Sequence, residues 1–338
     1  MIRTTRLLSP ILLALALAAA ARAADPLAEM AAFSAFKEVN LDKLAGGTVL
    51  AARGAAMNFP RGLAVETAYV IRKPLPKSVE FHLAWSPNRH SELKVYLHQD
   101  IAARPTAADF QRIASAPGNG PVKSLVAATQ KLGGSATDLQ VTAAETKTFS
   151  PAPGGGAMPA AVASFWENVL LGRAQAFLSG GLSRLPAYEG AKPGDEIARL
   201  LKEAGKARGQ FGGLLDATPL GGGRGSLTPA PYWELFDVEG QATFSLGVLY
   251  SKSRGDSWQA VDAQYYASSG FYVLVTLYQM WPVKIAGQDA TLVWRGDLIS
   301  SPALAALHGV ERMGSSTAMM RETQKVIACF LKDAAKAP

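Results

Sequence analysis

The sequence predicts an α+β protein in which an antiparallel β-sheet packs against a long C-terminal helix. Three features predict it. Residues 243–299 read as four strands separated by turn-forming residues, residues 317–333 carry a single apolar helical stripe, and a helical region at about 121–207 interrupts the strand-rich parts.

Taken in order, Asp25-Pro26 opens a short helix, with Asp as N-cap and Pro at the first helical position, followed by Leu27, Met30, Ala31 and Phe33. Gly46-Gly47 then breaks the chain. Thr48–Arg53 and Leu63–Arg72 read as strands, the latter from the alternation of Val65, Thr67, Tyr69 and Ile71. Pro74 and Pro76 precede a short helix over Ser78–Trp85, closed by Ser86-Pro87-Asn88, while Leu93–Leu97 fits strand and helix equally. The tract Pro151–Gly156 is a connector, and Pro159–Leu178 follows with Val162, Phe165, Trp166, Val169, Leu170 and Phe177 at helical spacing. Asp195–Ala207 repeats the pattern with Ile197, Leu200, Leu201 and Ala204 opposed by Arg199, Lys202, Glu203 and Lys206. Thr218–Pro231, rich in Gly and Pro, reads as loop.

The last third carries the clearest pattern. Thr243–Tyr250, Trp258–Tyr266, Phe271–Val283 and Thr291–Ile299 are joined at Ser253–Asp256, Ser268–Gly270 and Ala286–Asp289, which makes an antiparallel meander. Thr317–Asp333 then places Met319, Met320, Thr323, Val326, Ile327, Phe330 and Leu331 on one side, and Arg321, Glu322, Lys325 and Lys332 on the other. Such a stripe needs an apolar partner, and the preceding sheet is the nearest one.

The first residues have the three parts of a secretory signal: Arg3 and Arg6, an uncharged apolar run from Leu7 to Ala21, and small residues around Ala21-Arg22-Ala23. Residues 1–23 are therefore expected to be a cleaved signal peptide. The mature chain from about Ala24 is expected to form one elaborate domain over 24–338, soluble in the periplasm or outside the cell. Cleavage would remove three arginines and no acid, taking the formal charge from +7 to +4. That excess is small and dispersed, which argues against nucleic-acid binding. A single cysteine, Cys329, excludes an intramolecular disulfide, and no later apolar run is long enough for a transmembrane segment.

A curved meander followed by an amphipathic C-terminal helix over Phe236–Asp333, together with a strand, Pro74-Leu-Pro76 and a short helix over Thr48–Trp85, resembles the START-like, helix-grip lipid-binding fold. The helical insertion departs from the compact form of that family. The resemblance implies an apolar ligand held between sheet and helix. Six of nine tyrosines and four of six tryptophans fall between residues 232 and 294, which suits a ligand cavity and suits an ordinary strand core as well. On this reading the protein binds an apolar or amphipathic small molecule, a lipid among the options, without catalysis and without a cofactor. Tyr265, Tyr272, Trp281, Trp294, Arg295 and Met320 are the expected ligand-binding residues, with Arg295 and tyrosine hydroxyls orienting a polar head.

Two alternatives stand beside it. One is a periplasmic hydrolase assembled from dispersed residues such as His82, His90 and Asp100. The other is an envelope interaction protein without a small ligand, docking through its Gly/Pro-rich tracts and helices 159–207. The eight-residue separations of His82, His90 and His98 match no short metal-ligand spacing, so no metal site is expected. Nor is there a Gly-x-Ser-x-Gly elbow, and Gly221–Gly225 lacks the ending of a phosphate loop. Glu234, Asp237 and Glu239 could supply paired carboxylates for glycoside chemistry, but solvated loop charges explain them better. Cys329 falls on the apolar stripe of the last helix, where a small buried hydrophobe is expected.

Overall fold

A computed structural model describes residues 25–337 except 135, 136, 153, 154, 189 and 224. The expected signal peptide lies outside the described residues. Eight strands form one antiparallel open sheet: β1 (Leu50–Arg53), β2 (Gly62–Ile71), β3 (Val95–Asp100), β4 (Ala230–Val238), β5 (Gln241–Arg254), β6 (Ser257–Ala267), β7 (Val273–Ile285) and β8 (Gln288–Ser300). Their spatial order is β1-β2-β8-β7-β6-β5-β4-β3, so β1 and β3 are the edges.

Ten helices accompany the sheet among the described residues: α1 (Pro26–Phe33), α2 (Leu41–Ala45), α3 (Leu75–Ala84), α4 (Gly120–Gln130), α5 (Ala143–Thr146), α6 (Ala160–Gly180), α7 (Pro193–Glu203), α8 (Lys206–Gln210), α9 (Gly212–Leu215) and α10 (Gly309–Lys336). The α+β class and the C-terminal helix are as the sequence predicts.

Strand alternation divides the molecule into two cores. On β8, Leu292, Trp294 and Leu298 point to one face, where they join Phe165, Trp166, Leu170, Phe177 and Leu200 of α6 and α7. On the other face Val293 joins Tyr69, Trp258, Tyr278 and Met280, which are covered by Ile327, Phe330 and Ala334 of α10 with Phe81 and Val79 of α3. These are called below the α6 face and the α10 face. Phe330 anchors the second core, its ring edge-on to Tyr69 at 6.3 Å and 5.2 Å from Phe81.

Local chemistry explains the helix starts. Asp25 accepts from the Leu27 N–H at 3.0 Å, as the Asp-Pro signal requires. Thr142 and Glu145 form a reciprocal capping box on α5. Glu145 also holds the fully buried Arg173 in a two-pronged ion pair at 2.7 and 2.8 Å, and the Arg173 guanidinium stacks over the Tyr266 ring at 4.2 Å. One carboxylate thus caps a helix and neutralises the charge that α6 carries into the core.

Several boundaries differ from the expectation, each for a physical reason. The meander has five strands rather than four, because β4 begins inside a tract that reads as loop. Pro231 sits near the start of β4 and accepts a hydrogen bond from the Ile101 N–H at 2.8 Å, a role that needs no N–H of its own. Leu93–Leu97, ambiguous in sequence, resolves into the start of edge strand β3. Helix α10 starts at Gly309, eight residues before the predicted Thr317. Gly314, Ser315 and Ser316 lower the local propensity, but Arg312 fixes the first turns by donating to the carbonyls of Phe59, Pro60, Gly62 and Leu304. The helix predicted over Asp195–Ala207 is broken at Gly205, whose φ of +55° leaves the helical region.

Candidate functional site

The α10 face of the sheet is apolar near α3 and polar towards its middle. At strand position 98 on β3, 232 and 234 on β4, 262 and 264 on β6, 276 on β7, and 295 and 297 on β8, the residues are His, Tyr, Glu, Asp, Gln, Thr, Arg and Asp. They are hydrogen-bonded in separate small groups along the face. His98 donates from Nδ1 to Glu234 at 3.0 Å, and Gln264 donates from Nε2 to the other oxygen of Glu234 at 3.1 Å. Tyr232 donates its hydroxyl to Asp262 at 2.7 Å. Arg295 grips Asp297 through Nε and Nη2 at 2.7–3.1 Å, and Thr276 donates to the same carboxylate at 2.8 Å.

Sterics place Tyr232. Its ring lies across Gly247 of β5, where a Cβ would come 2.2 Å from the ring carbon Cζ. Only glycine at 247 lets the phenol reach over β5 to Asp262 on the next strand.

The electrostatics follow from burial. Asp262 is half-buried in surface area, yet the surrounding protein displaces enough water to push its carboxyl up to about 7. The Tyr232 hydrogen bond and the charges of Arg295 and His98 work against that rise, and Glu234 adds to it. For His98, burial alone disfavours the imidazolium, but the bond and charge of Glu234 prevail and raise its pKa. Arg295 is held cationic by Asp297. His82 lies in an aromatic box, 4.5 Å from the Tyr278 ring and 5.6 Å from Trp258, and desolvation pushes it down to about 4, so it is neutral.

Some acceptors on this face have no protein partner. Gln264 Oε1, Ser245 Oγ and Thr67 Oγ1 are buried and unpaired. Thr67 lies directly opposite Arg295, and Ser245 opposite Glu234, in the strand register. Leu249, Leu274 and Ile299 share the face and are partly exposed.

The expected ligand residues are divided between the two faces. Tyr265, Tyr272, Trp281 and Trp294 all point to the α6 face, away from α10, and are nearly solvent-free. Tyr265 stacks on Phe177 at 4.1 Å, and Tyr272 stacks on Tyr188 at 5.6 Å. Trp281 donates to Glu29 and Trp294 to Glu66, at 2.8 and 3.0 Å. Tyr265 follows the alternation of Val261 and Ala263, and a β-bulge, with Leu246 paired to Tyr266 and Gly247 to Gln264, brings Tyr266 to the same side. Arg295 is on the α10 face, and Met320 is half-buried on α10 between the buried Ser316 and Thr323.

The residues of the hydrolase alternative have separate partners. His82 is in its aromatic box, His90 donates to Asp333 at 2.7 Å, and Asp100 is almost fully exposed, 3.8 Å from His98. The carboxylates near Glu234 are also split. Asp237 pairs with Lys94 and accepts from the Gly240 N–H, and Glu239 occupies the β4–β5 turn at φ +52°.

A recess lies elsewhere. A cleft of about 890 Å³, open to solvent, runs between the end of α6, the start of α7 and Gly221–Gly223, but Lys192, Asp195 and Lys202 on its rim are exposed, and no buried ionisable group converges there. We therefore place the candidate site on the α10 face, where the ionisable groups converge. The sequence offers Glu234 only within a possible carboxylate pair, and Tyr232, Asp262 and Gln264 could not be singled out from spacing alone. The one sequence signal is an acid at Asp262, in the middle of a strand that otherwise reads Trp-Gln-Ala-Val-Asp-Ala-Gln-Tyr-Tyr.

No helix of the described residues is long and apolar enough to cross a membrane. The chain matches no protein-family model and no curated protein.

Proposed function

We propose that the protein binds an amphipathic small molecule, without catalysis, between the sheet and α10. In this reading the sheet grips the helix. Support comes from the reach of α10 to both ends of the strand order: Gln324 donates to the Val49 carbonyl just before β1, while Asp333 and Cys329 meet His90 and Glu92 just before β3. The polar end of the ligand sits on Asp262 and Gln264. Its apolar part lies along Leu274, Ile299 and Met320. Gln264 Oε1 can only accept, so in this reading the polar end offers it a donor, a hydroxyl or an ammonium group, while the Ser245 and Thr67 hydroxyls can take either role.

One observation carries the reading. A half-buried carboxyl and an unpaired amide oxygen stand side by side on the middle of a sheet, where a purely structural face would be apolar. Export through the N-terminal leader belongs to the same proposal and places the ligand in the envelope or medium.

Native mass spectrometry of protein purified from its own host, followed by thermal shift with single-chain lipids bearing hydroxyl, ammonium or carboxylate heads, tests it. The expected result is a co-purifying amphiphile and a melting shift for donor heads that Asp262→Leu and Gln264→Leu each abolish. An empty protein that no amphiphile stabilises overturns the proposal.

A further inference from the structure

We propose that His90, Glu92 and Cys329 form a binding site for one borderline divalent cation of the Zn²⁺ type. One ligand atom each of His90, Glu92 and Cys329 lies within 4.8 Å of the other two. His90 Nδ1 and Cys329 Sγ are each 3.5 Å from the same Glu92 oxygen. Those two separations match edges of a coordination tetrahedron: with metal bonds of about 2.0–2.2 Å to N and O and about 2.3 Å to S, neighbouring ligand atoms stand roughly 3.4–3.6 Å apart. An imidazole, a carboxylate and a thiolate together suit Zn²⁺ rather than Mg²⁺ or Ca²⁺.

A second observation concerns the other side of the imidazole. Asp333 Oδ2 accepts from His90 Nε2 at 2.7 Å and from Trp85 Nε1 at 3.0 Å. A carboxylate that takes the Nε2 proton leaves the Nδ1 lone pair directed at Glu92 and Cys329. Orientation of a ligating histidine by a carboxylate on its far nitrogen is the arrangement metal sites use to fix the tautomer. Without a cation, the neutral ring would direct a lone pair at a carboxylate oxygen. A metal ion between them removes that repulsion.

The fold supplies the four groups from two places. Cys329 and Asp333 are four residues apart on one side of α10, and His90 and Glu92 flank the start of the 3-10 turn Ser91–Leu93 that leads into β3. Cys329 is buried, His90 nearly so, and the Glu92 side chain is half-exposed, which leaves a path for the ion and a fourth position for water. An occupied site would tie the chain entering β3 to the C-terminal helix.

The test uses chelator-treated full-length protein and Co²⁺ as a spectroscopic probe, with Zn²⁺ as competitor. The expected result is one ion per chain, a thiolate-to-cobalt charge-transfer band that Zn²⁺ displaces, and protection of Cys329 from a thiol reagent by Zn²⁺. Cys329→Ser should abolish the band. Asp333→Asn, which alters only the positioning group, should keep the band and weaken affinity about 10–100-fold. Circular dichroism and unfolding curves of each variant exclude loss of fold as the cause. Unchanged thiol reactivity at saturating Zn²⁺ with no cobalt band overturns the proposal. Ion binding that survives in Cys329→Ser and His90→Gln overturns it equally.

Discussion

The Tyr232 hydroxyl donates to Asp262 across the width of β5, a reach that exists because residue 247 on the intervening strand is glycine. The bond stabilises the charged form of a carboxyl that its surroundings otherwise push towards neutrality. It therefore tunes the one half-buried acid on the α10 face.

Gly247→Ala is expected to evict the phenol, since the added Cβ would overlap the ring. The cost should be about 1–3 kcal/mol in urea unfolding, as for other overpacked sites. Tyr232→Phe removes the donor without the clash. NMR titration of Asp262 in that variant should give a carboxyl pKa higher than in wild type, because a hydrogen bond that lowers it is gone.

Asp262 makes stability depend on pH in a defined direction. Its pKa is about 7 folded and about 3.9 unfolded. The unfolded chain thus releases this proton first as pH rises, so the Asp262 contribution falls between about pH 4 and 7 and is flat above. Asp262→Asn should remove that slope and raise stability at pH 8 by about 1–2 kcal/mol, less than the roughly 4 kcal/mol of the full shift because the group keeps contact with water. A smaller slope should remain from His98, whose raised pKa gives stability that is fully present below about pH 6.5 and lost as pH passes its folded value. Unfolding curves at pH 5 and 8 for Asp262→Asn, alone and with His98→Gln, separate the two.

Arg173→Met leaves Glu145 without its buried partner and removes the stacking on Tyr266. A loss of about 3–5 kcal/mol is expected from breaking a buried pair. Glu145→Gln should cost the same order, because it strands the arginine instead. Chemical denaturation of both variants and the double mutant gives the coupling.

Phe330→Ala removes the ring that joins Tyr69, Phe81 and Trp85 beneath α10. Its cost should be about 3–4 kcal/mol. Hydrogen exchange in this variant should show faster opening of α10 and α3 with α4 and α6 unchanged, since those helices belong to the core on the opposite face.

Periodicity was enough to locate α1, α6, the last four strands and α10, because a stripe of Ile327, Phe330 and Ala334, or the alternation on β8, is written in consecutive residues. Burial on one side is all such a pattern needs. It could not tell which side of the sheet each aromatic would take. Tyr265 and Tyr272 read as plausible as Tyr278, yet they pack under α6 and Tyr278 under α10, a division set by which helix covers which face. The polar set was equally illegible: His98, Glu234 and Asp262 come from three strands, and only sheet register brings them together. His90 and Cys329 are separated by more than two hundred residues, and only the docking of α10 against the turn before β3 places their side chains side by side.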